Sequence, residues 1–199
     1  MSYATLAQFK EALQITDSSQ DTALQAVLDA TDDLIDNFCD QAVGFGKTAS
    51  QTRYYTADHL YYCLTDPIFS VSSIATDDDA NDTYETTWSA TDYILAPKNA
   101  PLDGDPYTEI DTSLAGQRSF PLSLNGVRVI GVFGWPSVPS AVVQAALIQA
   151  GAVWSSRSAP YGVIGSTELG GIMRLSRALH PEAQVLLERY RSRLGLIGG

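Results

Sequence analysis

The sequence predicts an α+β protein, a mainly helical body carrying an inserted small antiparallel β domain. Three observations lead there. Apolar residues recur at spacings of three and four in both end regions, the period of a helix with one buried face. From residue 51 to 134 the pattern changes to short runs rich in aromatic and β-branched residues, bounded by Asp, Pro, Ser and Gly. Seven of the ten tyrosines fall in that stretch, which sets it apart from the ends. The helical body is assigned to residues 1–50 and 135–199, and the inserted β-rich domain to residues 51–134.

Taken in order, Thr5 or Ser2 caps a short first helix whose apolar positions are Leu6, Phe9, Ala12 and Leu13. Thr16, Asp17 and Ser18 interrupt it. A longer helix runs from about Ser19 to Asp40, with Leu24, Val27, Leu28, Thr31, Leu34, Ile35 and Phe38 on its buried side. Its polar side holds Asp29, Asp32, Asp33, Asp36 and Asp40, several of them three or four apart, where like charges repel. Residues 42–50 form a glycine-marked loop. The strand-like runs are Arg53 to Tyr55, His59 to Leu64, Val71 to Ala75, Tyr84 to Trp88, Tyr93 to Leu95, Glu109-Ile110 and Gly126 to Phe133. Asp77 to Asp82 is a turn cluster between two of them.

Helical periodicity returns after Trp135-Pro136-Ser137-Val138-Pro139. Ser137 or Ser140 is placed to cap a helix through Val142, Val143, Ala146, Leu147, Ala150, Val153 and Trp154. Its alanines and Gly151 suit a close helix neighbour. Residues 161–171 read as a flexible glycine-rich loop with one short apolar run. Pro181 and Glu182 suit a first helical turn, and Arg189, Arg191 and Arg193 a last one, where cations complement the helix dipole.

Charge is distributed unevenly. The 199 residues carry a net charge of -11. Residues 1–111 hold 20 acidic against 4 basic side chains, a balance of -16; residues 112–199 hold 3 against 8, a balance of +5. A chain polarised in this way can stack head to tail, acidic surface on basic. It is poorly suited to wrapping nucleic acid, which needs clustered Lys and Arg. Charged residues make up only 18% of the chain, below the roughly 25% of ordinary soluble domains. Either Ser, Thr, Asn and Gln carry the surface polarity or partners cover part of it. No basic region followed by an apolar run opens the sequence, and no run of roughly 18 apolar residues occurs. The expectation is therefore no membrane, and action in the cytoplasm or in a particle assembled there. Cys39 and Cys63, the only cysteines, read as small core residues.

No catalytic or cofactor signature survives inspection. Gly44-Phe45-Gly46-Lys47-Thr48 has Gln41 where a phosphate-binding loop needs glycine, and follows a helix instead of a strand. Asp77, Asp79 and Asn81 match the first ligand positions of a calcium loop, but Asp82 and Trp88 replace its essential glycine and glutamate. The two histidines, His59 and His180, sit in no metal or nucleophile motif. Asp58-His59 and Asp92-Tyr93 are the pairs to inspect for acid–base chemistry. The expectation is a non-catalytic protein with no cofactor and no metal. An aromatic-rich carbohydrate-binding module is the alternative, built on the Tyr- and Trp-bearing middle domain.

The order of elements resembles the head-tail connector (adaptor) proteins of tailed bacteriophages. The resemblance is carried by Tyr3-Ala4-Thr5-Leu6-Ala7-Gln8-Phe9, by Ala30-Thr31-Asp32-Asp33-Leu34-Ile35-Asp36, and by Thr91-Asp92-Tyr93 with Leu95 and Pro97. It continues in Val132-Phe133-Gly134-Trp135-Pro136-Ser137-Val138-Pro139 before an alanine-rich helix, then Arg157-Ser158-Ala159-Pro160. Met173-Arg174-Leu175-Ser176-Arg177, Pro181 and Arg189-Tyr190-Arg191 complete it. The family implies a dodecameric ring in the virion neck, docked on the portal protein, with the next neck or tail-completion protein below. DNA would pass through its channel without sequence-specific binding. Residues expected at the portal are Arg174, Arg177, Arg189, Tyr190, Arg191, Arg193, Leu196 and Ile197. Tyr161, Gly162, Val163, Ile164, Gly165 and Gly170 are expected between subunits, and Asp29, Asp32, Asp33, Asp36 and Asp40 on a channel-facing helix. The β insertion departs from the compact helical members of that family.

Overall fold

In the computed structural model, which describes residues 2–157, 163–165, 172–174 and 179–191, the elements follow the predicted order. They are α1 (Leu6–Leu13), α2 (Asp21–Cys39), β1 (Ser50–Tyr55), β2 (Tyr62–Thr76), β3 (Thr86–Trp88) and β4 (Tyr93–Ala96). Then come α3 (Ala100–Asp103), β5 (Tyr107–Thr112), β6 (Val127–Phe133), α4 (Ser140–Ser156), β7 (Val163–Gly165), β8 (Ile172–Arg174) and α5 (Pro181–Leu187), with a 3-10 turn over Glu188–Tyr190. The fold is mixed α+β, with a helical core and a multi-stranded antiparallel sheet insertion. Two compact units emerge, one of Met1–Gln41 with Val138–Ser192, the other of Ala42–Ser137. The first break falls earlier than the sequence suggested. Residues 42–49 belong with the sheet because Phe45 packs on Trp135 with ring centroids 5.4 Å apart and the Thr48 N–H donates to the Phe133 carbonyl at 2.9 Å.

In the helical unit, Thr5 and not Ser2 caps α1. Its hydroxyl accepts the Gln8 N–H while the Gln8 side chain accepts the Thr5 N–H, a reciprocal capping box. The buried stripe of α2 is Leu24, Val27, Leu28, Thr31, Ile35 and Cys39. Leu34 lies at the edge of that stripe and is exposed, and Phe38 is half-buried; Asp32, on the opposite edge, is buried instead. The N-cap of α4 is Pro139, with no side-chain cap, so neither serine has the role expected of it; the Pro139 carbonyl receives the Val142 and Val143 N–H groups. Val142, Ala145, Ala146 and Ala150 are its core positions, whereas Gly151 has no described residue within 4 Å of where a side chain would start. Close helix approach therefore runs over the alanines and not over Gly151. His180 caps α5 by accepting the Glu182 N–H on Nδ1, and Gln149 Oε1 accepts the His180 N–H at 2.7 Å. Ala183 and Leu187 are fully buried. Residues 161–171 are not loop throughout: Val163–Gly165 pairs antiparallel with Ile172–Arg174, as β-branched residues beside glycines allow.

In the β unit the strand order is β1-β6-β2-β5-β4, with β3 paired to β2 and every pairing antiparallel. Two runs that read as separate strands, around residues 60–64 and 71–75, are one 15-residue strand. Asp66-Pro67 looks like a turn in sequence, yet the chain stays extended because register shifts accommodate the proline, which has no N–H to donate. The core lies on one face: Cys63, Ile68, Ile74, Trp88, Ile110, Phe120, Val127, Val129 and Phe133. Trp88 stacks on Phe120 at 4.6 Å and donates its indole N–H to Thr76. The short helix α3 was not foreseen; Pro101 starts its turn and Gly104, at φ 76°, ends it. Cys39 and Cys63 are both buried free thiols, and burial pushes each up to about 12.

Candidate assembly surfaces

The five aspartates of α2 divide into two groups. Asp29, Asp33 and Asp40 are exposed, with Asp40 in the left-handed conformation that ends the helix. Asp32 and Asp36 turn inward to hold the segment before α1. Both Asp32 oxygens accept the Tyr3 N–H, at 3.3 and 3.2 Å, and Asp36 accepts the Tyr3 hydroxyl. These two were expected on an open acidic face. They are fastenings instead, because the buried stripe of α2 is rotated toward them and Tyr3 fills the space beside it. Burial raises the Asp32 carboxyl to about 6 and raises Asp36 too, where the charge of Asp33 adds to the effect.

The folded-state value of Asp32 lies above the roughly 3.9 of an unfolded chain, so the folded protein holds this proton more tightly. Its contribution to stability is greatest below about pH 4 and is lost as pH rises through about 6. Asp32→Asn keeps an acceptor for the Tyr3 N–H and removes the buried charge. It is expected to stabilise the protein at pH 8 by on the order of 2 kcal/mol and to flatten the pH dependence between about 4 and 6, measured by urea unfolding. A destabilised variant at pH 8 would contradict this.

The C-terminal end is anchored as well as exposed. The Tyr190 carbonyl accepts the Gln41 side-chain amide at 3.0 Å, and the Arg191 guanidinium lies 5.6 Å from the Phe38 ring and pairs with Glu188 at 3.4 Å. Arg189 lies 5.7 Å from the Tyr190 ring. Sequence reasoning placed this whole region in a docking end, but α5 and the following turn form part of the helical core, with Arg189 and Arg191 at its surface. The backbone of Arg174 ends strand β8. Arg177, Arg193, Leu196 and Ile197 lie outside the described residues, as do Tyr161, Gly162 and Gly170; Val163, Ile164 and Gly165 form β7.

The pairs singled out for chemistry are structural. Asp92 accepts the Ser89 N–H at 2.7 Å, which holds its carboxyl below the usual range, and Arg118 lies 3.7 Å away. The His59 ring lies parallel to Tyr62 at 4.8 Å, covering one face of the ring that a sugar would stack on. The carboxylates of Asp77, Asp79 and Glu85 approach within 4.8 Å of one another, but Asp77 gives both oxygens to the Asn81 and Asp82 N–H groups. That arrangement closes a turn between β2 and β3. Half-buried Asp66 joins Arg53 at 2.6 Å and the Tyr55 hydroxyl at 3.0 Å, tying β2 to the edge strand β1.

The far face of the sheet is less covered. Glu109 and Asp111 stand two apart on β5 and so point to the same side, with Tyr62 and Ile94 exposed beside them. Burial, and next the charge of Asp111, raise the Glu109 carboxyl. Sequence reasoning missed this pair, since only the register shows what stands next to it. No described helix is long and apolar enough to cross a membrane.

Residues 3–87 match the family model described as phage gp6-like head-tail connector protein. No curated protein matches the chain at the sequence level. Among solved structures, a chain from the neck of an empty GTA particle computed with C6 symmetry matches with a TM-score of 0.55 and 18% identity, over 96% of this chain and 90% of that one. A chain from the virion of a native gene transfer agent (GTA) particle gives 0.53 and 20% over the same shares. One from the neck of a native GTA particle computed with C12 symmetry gives 0.51 and 20%, over 94% and 87%. These likenesses speak for a shared fold, β unit included.

Proposed function

We infer that this chain, a head-tail connector family protein through the match over residues 3–87, is a structural subunit of the neck of a tailed phage or gene-transfer-agent particle. It assembles as a ring beneath the portal, continues the DNA channel, receives the next neck or tail-completion protein, and has no catalytic role. The observation that carries this reading is the pairing of two independent likenesses. The family match lies in the first half of the chain, and the fold likeness to neck chains spans 96% of it. The rotational symmetry with which such necks were computed, C6 for one and C12 for another, supports a ring, which we take to hold twelve copies. The charge polarity supports the same reading, because a ring closes only through repeated contacts between two unlike surfaces.

Within this reading, Asp29, Asp33 and Asp40 are the members of the acidic helix available to a channel wall, where negative charge lets DNA slide without adhering. Arg189, Tyr190 and Arg191, with Arg174, Arg177, Arg193, Leu196 and Ile197, are proposed for the portal, and Tyr161, Gly162, Val163, Ile164, Gly165 and Gly170 for a contact between subunits. The test is electron microscopy of the purified chain mixed with the portal ring of its particle. Rings of this chain stacked on the portal are expected. A chain that stays monomeric and unbound at all concentrations overturns the reading.

A further inference from the structure

Arg128 on β6 alternates with Val127 and Val129, both in the core, so its side chain leaves the sheet on the other face. There it stands opposite Tyr54 of β1, which is 52% exposed. Its guanidinium lies 4.7 Å from the centre of the Tyr84 ring, and that ring lies 5.5 Å from Tyr54. The platform is braced from below. The Tyr84 hydroxyl donates to the Asn125 carbonyl at 2.8 Å, and the Asn125 N–H donates to the Thr56 hydroxyl at 2.9 Å. Burial, and next the charge of Asp82, raise the Tyr84 hydroxyl. Even so, among the described residues no carboxylate pairs with Arg128 and no acceptor receives its side-chain N–H groups. Its Nε is screened from solvent without a partner. A half-buried guanidinium that meets only a ring face lacks the acceptors its donors need.

A complementary feature lies at the other end of the strand order, in the connection from β4 to β5. Leu102 of α3 is 86% exposed, and Asp103 beside it is exposed too. Among the described residues the Asp103 carboxylate has no ion pair and no hydrogen bond. The turn that carries them is held by its own backbone. The Pro97 and Asn99 carbonyls accept the Ala100 and Leu102 N–H groups at 3.0 and 2.9 Å, and the Ala100 carbonyl accepts the Asp105 N–H at 2.9 Å. Such a knob is presented without an ordering cost. Tyrosine rings suit the leucine, and the guanidinium suits the carboxylate in a charge-assisted pair. Among the described large apolar residues that are exposed, only Leu34 also adjoins an acidic residue in sequence, and its neighbour Asp33 is already proposed for the channel wall. Platform and knob sit at opposite ends of one strand order, and each lacks a partner in its own copy. Mating them between copies gives the unlike, repeating contact that closes a ring.

We propose that the Tyr54–Tyr84–Arg128 platform receives the Leu102–Asp103 turn of a second copy, as a contact between neighbouring subunits. The proposal rests on the ring reading above and adds to it which β surfaces meet. To test it, Thr52→Cys and Asn99→Cys are introduced together in the full chain. Both positions are exposed and flank the contact without belonging to it, and the native Cys39 and Cys63 are buried. The chain is assembled on the portal and treated with a short thiol crosslinker. A ladder of covalent multimers is expected on a denaturing gel, with positions 52 and 99 joined in the linked peptides. Copies carrying one change each are expected to link only when mixed. No ladder while rings are visible, or links between two copies of the same position, overturn this proposal and leave the ring standing. Absence of rings from the unaltered chain overturns both. In a second arm, Arg128→Glu and Asp103→Arg are each expected to lower ring yield about tenfold, and the two together to recover most of it. Undiminished yield in a folded single variant, or no recovery in the folded pair, overturns the proposal. If Arg128→Glu fails to fold, the cysteine pair, which keeps Arg128, decides.

Discussion

Deleting residues 180–199 is expected to unfold the helical unit, whereas deleting residues 192–199 is expected to leave it intact and impair portal docking. Helix α5 packs on α4 with Ala183 and Leu187 fully buried, and Gln41 at the end of α2 reaches the Tyr190 carbonyl. Losing one buried leucine costs about 2–5 kcal/mol. Losing the whole helix also uncovers the α4 surface beneath it, and the total rivals the roughly 5–15 kcal/mol that keeps a domain folded. Circular dichroism melts of the two truncations separate the outcomes, with co-sedimentation on portal rings as the second readout. A cooperative, wild-type-like melt for the longer deletion would refute the packing role of α5. Undiminished docking by the shorter one would move the portal contact elsewhere.

The second large effect is at Gly134. Its φ of 100° is a conformation that side chains rarely adopt, and an added Cβ would fall 1.8 Å from the Gly46 carbonyl oxygen. The backbone cannot step aside, because the Gly134 N–H is held by the Pro67 carbonyl at 2.7 Å while Thr48 is bonded to Phe133. Gly134→Ala is expected to cost about 3 kcal/mol or more. Hydrogen exchange should report it as faster exchange in β1, β2 and β6, with α2 and α4 amides unchanged. Unchanged exchange throughout the sheet would show that the 46–48 backbone yields.

How far the sequence could be read depended on how local each cause was. The start of α1 at Thr5 or Ser2 and most of the stripe from Leu24 to Ile35 are visible because their partners lie within a few residues. The alternation in Val127 to Phe133 is equally plain. The reading failed where a distant partner decides. Asp32 resembles any surface aspartate until Tyr3, 29 residues away, is placed on it. Leu34 fits the apolar period, yet lies just outside the arc that is covered. Asp66-Pro67 signals a turn, but β6 and β5 hold β2 straight on either side of it. The arginines around residue 190 drew attention to docking, although Ala183 and Leu187, four apart, were already spaced as a buried pair. The strip around Glu109 and Asp111 needed the register of three strands, which no single segment encodes.

The helical unit is made of two stretches of chain separated by the entire sheet. On the ribosome, α1 and α2 emerge first, with the stripe of Leu24, Leu28 and Ile35 uncovered, and α4 and α5 arrive only after the sheet has been synthesised. The six strands of the sheet are thus all synthesised while α1 and α2 still lack α4 and α5. The insertion can mature first, and the helical unit closes only when Leu187 has left the exit tunnel.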